Sequence, residues 1–146
     1  MDAVLRSGET PENLPLLLTA ETHLRIEEGR WSELPVLAAR LREVAASTGA
    51  KYLAPYADRV DGHAASAGRK LDDALRSFQS AASKFDAIDM AVDAAIARLD
   101  AAETLTSLGH VDDASRTLAD ALPALQRAGF KQALTRAAVL LEQAAR

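Results

Sequence analysis

Residues 68–85, GRKLDDALRSFQSAASKF, and residues 109–125, GHVDDASRTLADALPAL, carry the pattern that decides the fold. Aligned positions lie 40 residues apart in the two stretches, and a third copy of the pattern begins at Trp31. The aligned sets are Trp31, Leu71 and Val111; Leu34, Ala74 and Ala114; Ala38, Phe78 and Leu118; Leu41, Ala81 and Ala121; and Ala45, Phe85 and Leu125. Small residues let two helices approach closely, and large residues fill the space between them. Three copies therefore predict a series of helical hairpins.

Apolar periodicity and the glycines divide the rest of the chain into seven predicted helices. We expect hairpins at about residues 13–49, 53–86 and 88–128, a capping helix over 131–146, and a flexible lead-in over 1–12. Ser32 is predicted to cap a helix, Trp31 to fill the core, and Pro123 to bend the sixth helix or end its regular part. No stretch alternates apolar and polar residues as a strand does. The sequence predicts a single all-α domain.

Composition and charge exclude several function classes. The 146 residues carry a formal net charge of −4 and no basic stripe, so we expect no direct contact with nucleic acid. The absence of cysteine excludes disulfides, thiolate metal sites and a cysteine nucleophile. No apolar stretch approaches the roughly 18 residues of a membrane span, and the first residues do not resemble a signal peptide. We therefore predict a cytoplasmic location without membrane contact.

The glycine turns and the apolar positions after them resemble the tetratricopeptide (TPR-like) repeat. Its second helix follows such a turn with an apolar residue, then Ala, then Phe or Leu, then Ala, as in Leu71, Ala74, Phe78 and Ala81. The first copy departs from this order, and the position usually held by glycine in the first helix is Thr22, Gly62 and Ala102. The 40-residue period also exceeds the usual 34. The resemblance implies an α-α superhelix, or solenoid, that serves as a protein-binding scaffold.

A narrower resemblance rests on the phrase Leu108-Gly109-His110-Val111-Asp112-Asp113-Ala114 and on the long helices. Residues 50–146 resemble the C-terminal repeats of LuxR-type (MalT-like) bacterial transcriptional regulators and related adenylate cyclases. This resemblance implies a signal-relay role in transcription regulation. The chain holds neither the P-loop ATPase nor the helix-turn-helix of such regulators, so it would be an isolated repeat region.

Polar residues on the first helix of each hairpin are the candidate partner-binding residues. In TPR-like folds the first helices line the concave groove, and here they carry Tyr56, Arg59, His63, His23 and Glu103. Arginine offers a planar donor fork, and tyrosine a rigid anchor, for a peptide or a carboxylate. The alternative is that these residues simply face solvent. We expect a protein or peptide partner, with a small-molecule inducer in the same groove as the alternative function.

We predict no catalytic, cofactor-binding or metal-binding residue, and no enzymatic activity. His23, His63 and Glu103 share one repeat position and could form a ladder, but one ligand per helix makes a poor metal site. The pairs Asp72-Asp73 and Asp112-Asp113 are interpreted as helix caps that also favour the helix dipole. We place Asp86, Asp89, Asp93 and Asp100 on a solvated face. Val139 interrupts the polar side of the last helix, which suggests contact with a further repeat or self-association.

Overall fold

The computed structural model describes residues 13–146, and this part of the chain is all-α, without strands. Its seven α-helices and one 3₁₀ turn are α1 (Leu14–Glu27), the 3₁₀ turn Trp31–Glu33, α2 (Leu34–Thr48), α3 (Leu53–Ala67), α4 (Leu71–Ala87), α5 (Ala91–Ser107), α6 (Val111–Ala128) and α7 (Lys131–Ala144). The predicted lead-in over residues 1–12 lies outside the described residues. No helix in the described part is long and apolar enough to cross a membrane.

The helix ends repeat along the chain with the predicted period. After α1, α3 and α5, the backbone N–H of Arg30, Lys70 and His110 donates across the turn to a carbonyl five residues earlier, at distances of 3.1, 2.8 and 2.9 Å. These donors lie 40 residues apart. Such bonds satisfy carbonyls that the helix leaves unpaired. The same 40-residue unit therefore appears in the backbone hydrogen bonds as well as in the side-chain pattern.

One turn differs from its predicted geometry. The residue in the left-handed conformation after α3 is Arg69, with a φ of 60°, whereas Gly68 has an ordinary φ of −84°. Gly29 and Gly109 occupy the equivalent left-handed positions after α1 and α5. At this turn the glycine therefore lies one residue before the position that adopts the left-handed conformation.

The positions predicted to be buried form the core, apart from the first set and Ala45, which is only partly buried. Burial is nearly complete at Leu34, Ala38, Leu41, Ala74, Phe78, Ala81, Phe85, Ala114, Leu118, Ala121 and Leu125. Helices pack against their neighbours along the chain, α1 also contacts α3, and α7 also contacts α5. Most buried apolar side chains from α1 to the start of α5 pack as one cluster, and those from α5 to α7 as another. Ala74, Phe78 and Ala101 form a third, smaller cluster between α4 and α5.

The predicted core role of Trp31 is wrong. Trp31 is 43% exposed and Val111, at the same repeat position, is 42% exposed, because this position lies in or beside the turn that precedes the second helix. Ser32 lies inside the 3₁₀ turn and does not cap α2, whose N-cap residue is Glu33. Pro123 does not end its helix, since α6 continues to Ala128.

The paired aspartates lie in the first turns of α4 and α6, as expected, but no side-chain cap hydrogen bond forms at either helix start. Instead Asp73 pairs with Arg76, and Asp113 pairs with Arg116, each three residues further along the helix. The favourable interaction with the helix dipole remains, while the capping role is wrong.

Candidate functional site

Asp100 on α5 is the centre of a buried polar network. Its Oδ2 accepts a hydrogen bond of 2.9 Å from Arg59 Nε on α3, and its Oδ1 accepts one of 2.6 Å from Arg136 Nη2 on α7. Asp100 is 2% exposed and Arg59 is 5% exposed. One carboxylate therefore joins three helices that are not consecutive in the chain.

The placement of Asp100 on a solvated face is wrong. Burial alone would raise the pKa of Asp100, but the charges of Arg59, His63 and Arg136 and a hydrogen bond from His63 outweigh it and lower the pKa. The carboxylate is thus ionised at neutral pH in spite of its burial. A buried charge is tolerated when partners of opposite charge and hydrogen bonds surround it.

Arg136 fastens the last helix to α5. In addition to Asp100, it binds Glu103 through Nη2 and through Nε, the latter at 3.3 Å from Glu103 Oε2. Burial would lower the pKa of Arg136, yet the hydrogen bond to Glu103 and the charge of Asp100 raise it. The apolar contact of α7 is made by Ala133, Ala137, Leu140 and the partly buried Leu134, and these ion pairs add to its attachment.

Tyr56 forms a second link between α3 and α5. It is 4% exposed, and its hydroxyl donates a hydrogen bond of 2.8 Å to Asp93 Oδ1. Burial, followed by the negative charge of Asp93, raises the pKa of this hydroxyl. The alternative that Tyr56 and Arg59 merely face solvent is therefore wrong, because both are buried and both join α3 to α5.

The two predicted histidines lie beside this network without forming a ladder of metal ligands. His63 Nε2 lies 3.5 Å from Asp100 Oδ2 and from Arg59 Nη2, and its ring stacks on Trp31 at 6.4 Å between centroids. His23 contacts the Tyr56 ring edge to face at 5.7 Å. Partial desolvation of its ring, followed by the charge of Arg59, lowers the pKa of His23. Within residues 13–146, no group of three such side chains could hold a metal ion.

A groove of about 510 Å³ opens beside the network, between the odd-numbered helices. Contributions come from α1 (His23, Ile26, Glu27), α3 (Arg59), α5 (Val92, Asp93, Ile96) and the start of α7 (Phe130, Gln132, Arg136). His63 and Glu103 lie outside it and line a second cavity of about 240 Å³. Of the five predicted residues, His23 and Arg59 thus line the groove, and His63 and Glu103 flank it. Tyr56 does not line the groove, but its hydroxyl hydrogen-bonds to Asp93, which does.

Asp93, Asp100, Phe130 and Arg136 are site residues that sequence reasoning missed. For Asp100 a signal was available, because it lies 40 residues after Val60, which is fully buried in α3. A carboxylate at a repeat position that is otherwise apolar indicates a buried ionic partner. No comparable signal marks Arg136, whose repeat equivalents are Tyr56 and Ile96.

In comparisons with protein-family models, with curated proteins and with solved structures, the chain matches none of them significantly.

Proposed function

We propose that this protein is an interaction module in which the odd-numbered helices form the inner side of a TPR-like α-α superhelix. The groove between α1, α3, α5 and α7 is the observation that carries the proposal. It combines charged side chains with exposed apolar surface, and Phe130, 44% exposed, stands at its edge. Partly exposed aromatic side chains in a concave site are typical anchors for a protein partner.

The buried network suits this role because it fixes the groove walls relative to one another. Arg59, Asp100 and Arg136 tie three of the four groove helices together through ion pairs. A preformed groove spends little free energy on ordering when a partner binds. We further propose a cytoplasmic relay role in a bacterial transcriptional regulatory system, supported by the resemblance of residues 108–114 to MalT-like repeats. An ATPase or DNA-binding domain in the parent reading frame would support this role, and its absence would argue against it.

Replacing Phe130 by alanine is expected to weaken partner binding by about tenfold or more, since truncating an aromatic anchor commonly costs more than 1 kcal/mol. The half-exposed side chain contributes little to folding, so thermal stability should change little. Affinity for a recovered partner would be measured by titration calorimetry. Val111→Ala, 42% exposed and outside the groove, is the matched control. Equal affinity of the Phe130→Ala variant and the wild type would contradict the groove assignment.

The alternative function is a small-molecule sensor, and the groove volume favours it specifically. About 510 Å³ lies within the roughly 300–1,000 Å³ of small-molecule sites. Thermal-shift screening against metabolites should then show one compound class that stabilises the wild type and not the Phe130→Ala variant. Stabilisation that persists in the variant would place the compound elsewhere.

Self-association through the last helix remains a proposal of its own. Val139 and Leu141 on α7 are each 48% exposed, which leaves apolar surface for a second copy or a further repeat.

A further inference from the structure

The charges that face the groove are unequally paired. Arg59 and Arg136 are both bound to Asp100, and Arg136 is bound to Glu103 as well. Glu27 and Asp93, in contrast, have no basic group within 4.0 Å in the part of the chain that the structure describes. The Tyr56 hydroxyl gives Asp93 a hydrogen bond but no compensating charge. The uncompensated charge of the groove is therefore negative.

The same groove presents apolar surface next to these carboxylates. Val92 and Ile96 lie on α5 beside Asp93, one residue before it and three residues after it, and both are only partly buried. Phe130 is 44% exposed at the start of α7. A purely ionic ligand would leave this surface in water, whereas a ligand with apolar groups on both sides of a cation would cover it.

A donor of the largely buried Arg59 side chain also lacks a protein partner among the described residues. Arg59 uses Nε for Asp100, and its Nη2 lies beside His63, but its Nη1 makes no hydrogen bond within residues 13–146. In this part of the chain, Arg40 Nε is the side-chain atom that is both buried and without a hydrogen-bond partner. Arg59 Nη1 also has no partner there, so it retains contact with solvent. With the residue 95% withdrawn from water, a ligand acceptor would satisfy Nη1 better than sparse solvent does.

We propose that the groove binds an extended protein segment that carries a lysine or arginine flanked by apolar residues. The basic side chain lies against Glu27 and Asp93, its apolar neighbours cover Ile96 and Phe130, and a backbone carbonyl accepts from Arg59 Nη1. This inference rests on the proposed interaction function and names the chemistry of the partner. A small organic cation shares the charge but offers neither the apolar groups nor the carbonyl.

Fluorescence anisotropy with three probes tests the proposal. The first is a dye-labelled, terminally capped peptide of sequence Ala-Leu-Lys-Leu-Lys-Leu-Ala, the second replaces both lysines by glutamate, and the third is cadaverine as unlabelled competitor. We expect the lysine peptide to bind about tenfold tighter than the glutamate peptide, an advantage that decreases with salt. Cadaverine should displace it only weakly.

Variants that replace carboxylates by amides test whether the preference for the lysine peptide arises in the groove. Glu27→Gln with Asp93→Asn should reduce the preference for the lysine peptide to within about twofold. Asp112→Asn with Asp120→Asn removes the same charge from exposed positions on α6 and should leave the preference unchanged. Near-ultraviolet circular dichroism would show that both double variants remain folded.

The outcomes separate this proposal from the function on which it rests. A glutamate peptide that binds as tightly as the lysine peptide, and loses affinity in the Phe130→Ala variant, overturns the basic-segment proposal but supports the interaction groove. The same lysine peptide prepared without its dye is the reference competitor for cadaverine; equally efficient displacement by the two also overturns the proposal, in favour of a small cation. If neither peptide binds, both the segment chemistry and the groove as a peptide site are contradicted.

Discussion

Asp100→Asn is expected to lower the free energy of unfolding by about 3–5 kcal/mol at neutral pH, since removing one member of a buried ion pair leaves the other charge uncompensated. The side chain keeps its size, so no cavity forms. Arg59 remains 5% exposed with no carboxylate on Nε. Urea unfolding followed by circular dichroism measures the change. Asp120→Asn, at an exposed position away from the first turn of α6, is the control and should stay within about 0.5 kcal/mol of the wild type.

A second variant distinguishes the loss of a charge partner from general damage. Adding Arg59→Met to Asp100→Asn removes the uncompensated charge, and buried ion pairs can be replaced by apolar groups at little cost. The double variant should therefore be more stable than Asp100→Asn alone. If the two changes were additive, or if Asp100→Asn cost less than about 1 kcal/mol as an exposed ion pair does, the network would not hold the helices together.

The pH dependence of stability should identify the same carboxylate. The pKa of Asp100 is lowered in the folded state, so its contribution is complete above the unfolded value of about 3.9 and is lost as pH falls below it. The stability difference between the wild type and Asp100→Asn should accordingly narrow between about pH 5 and pH 2. A difference that stays constant over this interval would assign the effect to packing instead of charge.

Gly62→Ala is expected to destabilise the protein by about 2 kcal/mol, although alanine is the better helix former by about 1 kcal/mol. A Cβ at Gly62 would clash with Cε1 of Phe78 and would lie 2.6 Å from its Cδ1 and 2.8 Å from its Cζ. The ring of Phe78 is 2% exposed and packs against Ala74, Ala101 and the His63 ring, so moving it aside disturbs these neighbours. Gly68→Ala, where the nearest atom would lie 3.6 Å away, is the control and should be neutral or slightly stabilising.

The repeat itself supplies the rescue of Gly62→Ala. Forty residues further along, Ala102 and Leu118 occupy the positions of Gly62 and Phe78, so the small and large residues change size together. In a Phe78→Leu background, Gly62→Ala should lose its cost, because the smaller side chain admits the added methyl group. A thermodynamic double-mutant cycle measures this coupling. An equal cost in both backgrounds would mean that the contact between α3 and α4 is not what selects glycine.

The repeat register allowed most of the core to be predicted from sequence. Sets such as Leu41, Ala81 and Ala121 are buried because residues 40 apart occupy equivalent places on the second helices. The prediction that Trp31 fills the core failed because the register places this residue at the turn before α2, where apolar residues need not enter the core. Periodicity reports which face of a helix is buried, and it reports little about helix ends.

The candidate site was less predictable because its partners lie far apart in the chain. Asp100 meets Arg59 across 41 residues and Arg136 across 36. A single aspartate in an α-helix gives the same local pattern whether such partners reach it or water does. Arg59 and Tyr56 were selected for their position on α3, but their burial and their contacts with α5 follow from the packing of helices that no local pattern describes.

Site-specific photo-crosslinking tests the central claim, that the groove between the odd-numbered helices is the binding surface, most directly. A photoreactive amino acid would replace Phe130 at the groove edge or Asp120 on the exposed side of α6, in cells that produce the protein. We predict discrete protein adducts from position 130 and none of them from position 120. Adducts of equal identity and yield from both positions, or from position 120 alone, would contradict the account.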